Sequence, residues 1–373
     1  GVTIDGNFAG NSAVQGDNVF DLALSDTVIR DLDNVDAATG IRDNGLRFTE
    51  LEGTVSVTGG SIANVEGFVY ENATTGSANR AIEVQNRQGC TVQDGTGDCN
   101  LTVDVDGLTV ERFDFQGVNI RHVGGTTDID IVNSDFELVN GASISTGPNL
   151  PGANSHTVDV TGNTFTDVGI AAELFSSRGG TTTATVTGNT VTRTHGDAIR
   201  LVAFNQSGAG TAATFLGTVS GNTMTGIAAN DVASASGGAG VFVAAEDGVT
   251  AKVLVDNNTI TGHTAAGGLV AECLRTQNQR DGDLDMVVRN TSCTDFPTNF
   301  FGAVFLGNDF DTTSPFTNTC VDFAATNSYS NTNGLFANTF ATDSTGGSVL
   351  DLPNGFNANL AAFPQLDFGN APT

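Results

Sequence analysis

The chain has 373 residues, 47 of them glycine and 24 phenylalanine, with no tryptophan and two tyrosines, and its 42 acidic against 14 basic side chains give a formal charge of −28. That charge argues against a nucleic-acid backbone or an anionic membrane surface as partner, because both would be repelled; it suits a solvated surface in salty water, or a supply of carboxylates for Ca²⁺. No stretch approaches the run of about 20 apolar residues needed to cross a bilayer, so no membrane insertion is expected.

In chain order, residues 1–40 read as an N-terminal coil or cap that opens GVTIDGN with no targeting peptide, as in a mature product or part of something longer. Residues 41–330 then repeat one unit, and 331–373, with Pro353 and Pro364, read as a last irregular coil and cap of the single domain 1–373. The unit has two signals. One is VTGNTFT at 160, VTGNTVT at 186, VSGNTMT at 219 and VDNNTIT at 255. The other is a glycine followed by alternating apolar residues: GIRDN at 40, GFVYE at 67, GVNIRH at 117, GASIS at 141, GIAAEL at 169, GDAIRL at 196, GVFVAA at 240, GLVAEC at 268, GAVFLG at 302 and GLFAN at 334. These glycines are 24 to 34 residues apart except for jumps of 50 after Gly67 and 44 after Gly196, which predict insertions near 72–100 and 203–218.

A period in this range with β-branched alternation predicts a β-solenoid, since helical repeats would place apolar residues three and four apart. Each coil would bury its apolar side chains against its neighbours, and roughly ten coils at about 4.8 Å make a rod on the order of 50 Å long. The recurring asparagines Asn163, Asn189, Asn222, Asn258 and Asn290 then fall at one tight turn of successive coils. Asparagine tolerates a left-handed backbone and its amide can bond to the asparagine above, so these residues are expected to form an internal scaffold ladder.

On these motifs, over about residues 20 to 340, the chain resembles the right-handed parallel β-helix of the pectate-lyase-like superfamily, particularly the repeat proteins of bacterial surfaces and secretions. The resemblance implies the fold and its hand. For function it leaves lyases, hydrolases, epimerases, tail fibres and adhesins open, because one scaffold carries them all.

Counting from each glycine, outward fourth positions are Asn44, Glu71, Arg121, Ser145, Glu173, Arg200, Ala244, Glu272 and Leu306, and a neighbouring outward stripe includes Asn119 and Phe242. Glu71, Asn119, Arg121, Glu173, Arg200, Phe242 and Glu272 are therefore the expected binding face, with Glu173 and Arg200 paired on adjacent coils and Phe242 an exposed aromatic platform. Such a pair can serve as a register device, or the face can grip an extended, partly charged polymer. In enzymes of the resembled superfamily a polysaccharide lies along such a face, with Arg and carboxylates working beside a uronate, sometimes through Ca²⁺; Arg121, Glu173, Arg200 and His195 are the matching catalytic candidates, and His122 lies at the same edge. Against catalysis, the polygalacturonase-type motifs are missing apart from a partial match at Thr194-His195-Gly196-Asp197.

Paired aspartates, among them Asp128/Asp130 and Asp309/Asp311, are strand-edge carboxylates first and weak Ca²⁺ ligands second. Cys90 and Cys99 bracket a polar, glycine-rich stretch and are expected to form a local disulfide; Cys273, Cys293 and Cys320 are expected to be buried structural cysteines, one of them left unpaired. The leading expectation is an extracellular or cell-surface structural, adhesive or glycan-binding β-helix, with an extracellular glycan or copies of itself as partner. The alternative is a lyase, hydrolase or epimerase acting on an acidic glycan.

Overall fold

A computed structural model describes residues 1–5, 12–32, 44–64, 79–86, 100–122, 125–148, 155–177, 180–204, 213–227, 238–262, 271–279, 282–295, 304–308, 318–323, 327–329, 335–338 and 349–351. Among these there are strands and no helix, and every strand pairing is parallel. Each strand pairs with the equivalent strand of the coil before and the coil after, which is a parallel β-helix.

A coil has three faces. The first is built from strands such as Ser155–Thr161, Thr181–Thr187 and Thr214–Ser220. A tight turn leads to the second, with Thr190–Thr194 and Thr223–Ile227, and the third carries Gln116–His122, Ile199–Phe204 and Gly238–Glu246. In Thr164–Ser177 the second and third faces form one strand, bent near Asp167, whose φ is 55°.

Alternation makes the core. On the first face Val105, Ile131, Val160, Val186, Val219, Val255 and Val288 stack in register, all pointing inward. β-Branched side chains suit this pleated, half-buried surface because few rotamers are lost there. On the second face Val110, Phe136, Phe165, Val191, Met224, Ile260 and Cys293 form the corresponding row, with Phe136 and Phe165 stacked at 5.1 Å. Cys293 is disulfide-bonded to Cys273 inside the rod, with 5.8 Å between Cα atoms and both residues buried. The expectation of buried structural cysteine holds for this pair; Cys90 and Cys99 lie outside the described residues.

The asparagine ladder is present at Asn163, Asn189, Asn222 and Asn258, all buried. The Nδ2 of Asn163 donates to Oδ1 of Asn189 at 3.1 Å, Asn189 to Asn222 at 3.0 Å, and Asn222 to Asn258 at 3.0 Å. Each Nδ2 also donates to a backbone carbonyl, and each Oδ1 also accepts the backbone N–H of the residue one coil earlier, Ser134 for Asn163 and the preceding asparagine for the others, so the buried amides are satisfied. Two expectations are corrected. The left-handed residue is the one before the ladder, namely Gly162, Gly188, Gly221, Asn257 and Asn290, with φ from 50 to 68°. Gly188 shows why glycine recurs there: a Cβ would meet nothing within 4 Å, so the requirement is φ and not space. Asn290 is therefore an exposed turn residue donating to Asp256 Oδ1 at 2.8 Å, and buried Thr291 takes the ladder position, its N–H bonded to Asn327 Oδ1.

The insertion near 72–100 is also revised, because Arg80–Gln85 within it is a regular third-face strand in register with 46–49 and 116–121. Likewise Thr214–Ser220 overlaps 203–218 and is a first-face strand.

Candidate functional site

The third face carries a row that mixes Arg, carboxylate, small polar and aromatic side chains over successive coils. Its register runs Arg47, Glu83, Asn119, Ser145, Glu173, Arg200, Phe242, Arg275. The predicted neighbours Glu173 and Arg200 are indeed opposite each other, with Nη1 3.4 Å from Oε1. Arg121 lies opposite Gly147 instead of Ser145, and Phe242 opposite Arg200 instead of one stripe away.

The slip of two residues has a steric origin. The repeat glycine occupies two different places. Gly117 and Gly240 lie within the strand, where a Cβ would approach Ser143 O at 2.4 Å and Cys273 O at 2.8 Å. Gly141 and Gly169 lie at the bend two residues earlier, where a Cβ would approach Phe115 O at 1.8 Å and Asn140 O at 2.1 Å. Both sites forbid a side chain, so both read as the same signal in sequence.

Arg121 nevertheless reaches the row, because its Nη2 donates to Ser145 Oγ at 2.8 Å and Ser145 Oγ donates on to Glu173 at 3.4 Å. Arg200 also contacts Asp197 at 3.8 Å, and Asp197 Oδ1 accepts the Ala239 N–H at 2.9 Å. Glu272 lies opposite Ala239, at the start of its strand and off the predicted row, and binds Arg275 at 2.7 Å. Toward the N-terminus Glu83 accepts from Arg80 and Asn44 at 2.8 Å each, and Arg47 lies 3.3 Å away. Three guanidinium groups sit on phenyl rings: Arg80 on Phe115 at 4.8 Å, Arg121 on Phe175 at 4.7 Å and Arg200 on Phe242 at 5.2 Å.

Two predicted members change character. Phe242 is 5% exposed and packs in a small apolar cluster with Ala239, Ala244 and Val202, so it supports Arg200 from below and is not a platform. Asn119 is buried in the row between Glu83 and Ser145. Glu71 lies outside the described residues. His195 is half-buried in the turn before Ile199–Phe204, its backbone N–H bonded to Val168 O.

Burial separates the signs of charge. The side chains of Glu83 and Glu272 are 1% exposed, Asp197 11% and Glu173 15%, whereas Arg275, Arg47 and Arg200 are 26, 33 and 38% exposed. At Arg47, Arg200 and Arg275 the acids lie beneath and the guanidinium groups on top, whereas Arg80 is itself buried. Desolvation pushes Glu272 up to about 7 against the opposing pull of Arg275, and raises Glu173 and Asp197 in the same way. Desolvation likewise lowers Arg121 to about 10, with Glu173 opposing. Inside the adjoining corner, buried His156 is held down to about 3 by desolvation and by its neighbours His122 and Arg121. His122, expected at the surface, is buried and shares a 2.8 Å bond with Asn86.

Sequence reading missed Arg80, Glu83, Asp197 and Arg275. A signal existed: an acid and an arginine three residues apart recur as Arg80/Glu83, Asp197/Arg200 and Glu272/Arg275, each an ion pair across the start of a third-face strand.

On the first face Asp104, Asp130 and Asp159 stack in register and line an open depression with Thr161 and Thr185, and Asp128 lies two residues from Asp130. Desolvation, then Asp128, Asp159 and Asp104, raise Asp130. Asp128 and Asp130 lie on the strand Thr126–Val132, and among the described residues no three His, Cys, Asp or Glu side chains converge as a metal site; Asp309 and Asp311 lie outside the described residues. Among the described residues no helix is long and apolar enough to cross a membrane. No family model, no curated protein and no solved structure matches the chain.

Proposed function

We propose that this parallel β-helix is an extracellular or cell-surface binding rod, of the pectate-lyase-like scaffold type, that holds an extended acidic glycan along its third face. The observation that carries the reading is the strip of guanidinium groups lying over buried carboxylates, from Arg47 to Arg275, on a chain of formal charge −28. Strands one coil apart are about 4.8 Å apart, so Arg200 and Arg275, two coils apart, present donors about 10 Å apart to a polymer laid along the axis. Guanidinium groups backed by phenyl rings are pre-oriented planar donors for carboxylate, sulfate or hydroxyl oxygens. The Cys273–Cys293 disulfide supports an oxidising location. Binding of polygalacturonate and dextran sulfate, with neutral dextran as control, tests the reading: Arg200→Ala is expected to weaken acidic-glycan binding by about tenfold, the effect of one charge-assisted hydrogen bond. Equal binding by the parent and this variant would remove the third face from the account.

A second reading, an enzyme acting on the same glycan, is favoured by one observation. Burial raises the pKa of Glu173, Asp197 and Glu272, the direction a general acid requires. Release of reducing or unsaturated sugar ends, lost in Glu173→Gln, would establish it.

A further inference from the structure

The layered arrangement of charge on the third face has a regulatory consequence for the proposed glycan site, and it rests on that reading. Each exposed guanidinium of the C-terminal half is neutralised from beneath by a carboxylate that water barely reaches: Glu173 and Asp197 under Arg200, and Glu272 under Arg275. Glu272 is faced from its own strand by Arg275 and from the neighbouring element by Asp197, whose partner is Arg200. The intervening residues 238–245 and the following strand Val304–Asn308 contain no titratable group. These ion pairs make the charge that Arg200 and Arg275 present to solvent depend on whether the acids beneath them are ionised.

We propose that proton uptake by the carboxylates beneath Arg200 and Arg275, with Glu272 foremost, switches the third face from a self-neutralised surface to one that binds polyanions. Removing a negative charge from under an arginine strengthens that arginine's attraction for a ligand anion, and a bound polyanion in turn makes ionisation of the acids harder. Proton uptake and ligand binding are therefore coupled with the same sign. The direction agrees with the burial of the three acids: the pKa of Glu272 is raised to about 7, and those of Glu173 and Asp197 are also raised. Ordinary carboxylates titrate near 4, so a change between pH 8 and pH 6 does not report on the general acidity of the chain; histidine titrates in the same window, and the Glu272→Gln protein separates its share from that of Glu272.

Dextran sulfate is the probe, because its charge is constant over this range. Its affinity for the full chain is expected to rise by about tenfold from pH 8 to pH 6, the change carried by one unit of pKa coupling. Calorimetry at pH 7 in buffers of different ionisation enthalpy is expected to show protons taken up on binding. Glu272→Gln, which removes the buried charge and keeps its shape, is expected to bind as tightly at pH 8 as the parent does at pH 6. Binding that is the same at both pH values without proton uptake would overturn the switch and leave the glycan-binding reading standing. A Glu272→Gln protein that keeps the parent's full pH dependence would also overturn it. Absence of binding at either pH would overturn both. Should the variant fail to fold, proton uptake by the parent decides the question.

Discussion

The asparagine turn and the third face are built from the same coils, yet they obey different rules. At the turn four successive coils meet the same demand, an amide that bonds upward and downward, and Asn163, Asn189, Asn222 and Asn258 answer it alike, with Ser134 and Thr291 in the flanking coils. On the third face each coil contributes something different, Ser145, Glu173, Arg200, Phe242 or Arg275, and no two neighbours repeat. Uniform rows follow from packing against the next coil; a row whose members differ but still interlock by ion pairs and ring contacts is arranged for something other than stacking. The comparison teaches where, on a repetitive scaffold, to look for chemistry.

If the comparison is right, substitutions inside the rod should cost stability and spare binding, and substitutions on the third face the reverse. The largest loss is expected from Phe165→Ala, which empties the stacked position against Phe136 and should lower unfolding free energy by about 3–5 kcal/mol. Breaking the ladder at Asn189→Ala strands the Asn163 N–H and the Asn222 carboxamide oxygen's share of donors, and should cost about 1–3 kcal/mol. Both are read by denaturant melts, and both should leave glycan affinity unchanged once the protein is folded. Removing the disulfide by Cys273→Ala together with Cys293→Ala opens a link of sequence separation 20, worth about 3 kcal/mol in the chain-entropy account. Smallest in stability, at most about 1 kcal/mol, is Arg200→Ala, because half-exposed ion pairs contribute little; its effect belongs in binding.

Stability against pH sharpens the same contrast, because two buried groups act in opposite senses. His156 has its folded pKa lowered to about 3 from 6.5, so its contribution is present above pH 6.5 and is lost as pH falls toward 3. Glu272 has its folded pKa raised from 4.5 to about 7, so its contribution is complete below pH 4.5 and is lost as pH rises through 7. Melting temperatures from pH 3 to 9 should therefore peak between these limits. Glu272→Gln should flatten the alkaline side alone, and His156→Gln should flatten the acid side alone.

How much of this was legible in sequence follows from the same division. The ladder was legible because stacked buried amides satisfy one another from coil to coil, so V-x-G-N-T repeats nearly unchanged at 160, 186 and 219. It was misread by one residue at Asn290, where Thr291 takes the buried position and Asn290 the left-handed turn, since asparagine suits both places. The Glu173–Arg200 pair was legible because both coils place their glycine at the same bend. Arg121 and Phe242 were displaced by two because Gly117 and Gly240 answer a different close approach. Burial of Phe242 and Asn119 was not legible at all: alternation tells which side of a strand a residue occupies, not whether that side reaches water. The acid–arginine spacing of three, which marks Asp197, Arg275, Arg80 and Glu83, is out of step with the period of two in a strand, so alternation assigns the two partners to opposite sides.

The most direct test of the central claim is amide hydrogen exchange with and without polygalacturonate at pH 6. The account predicts added protection on Gln116–His122, Ile199–Phe204 and Ala271–Gln279, with none on the first-face strands Thr126–Val132 and Ser155–Thr161. Protection on the aspartate-lined first face, with the third face unchanged, would contradict it.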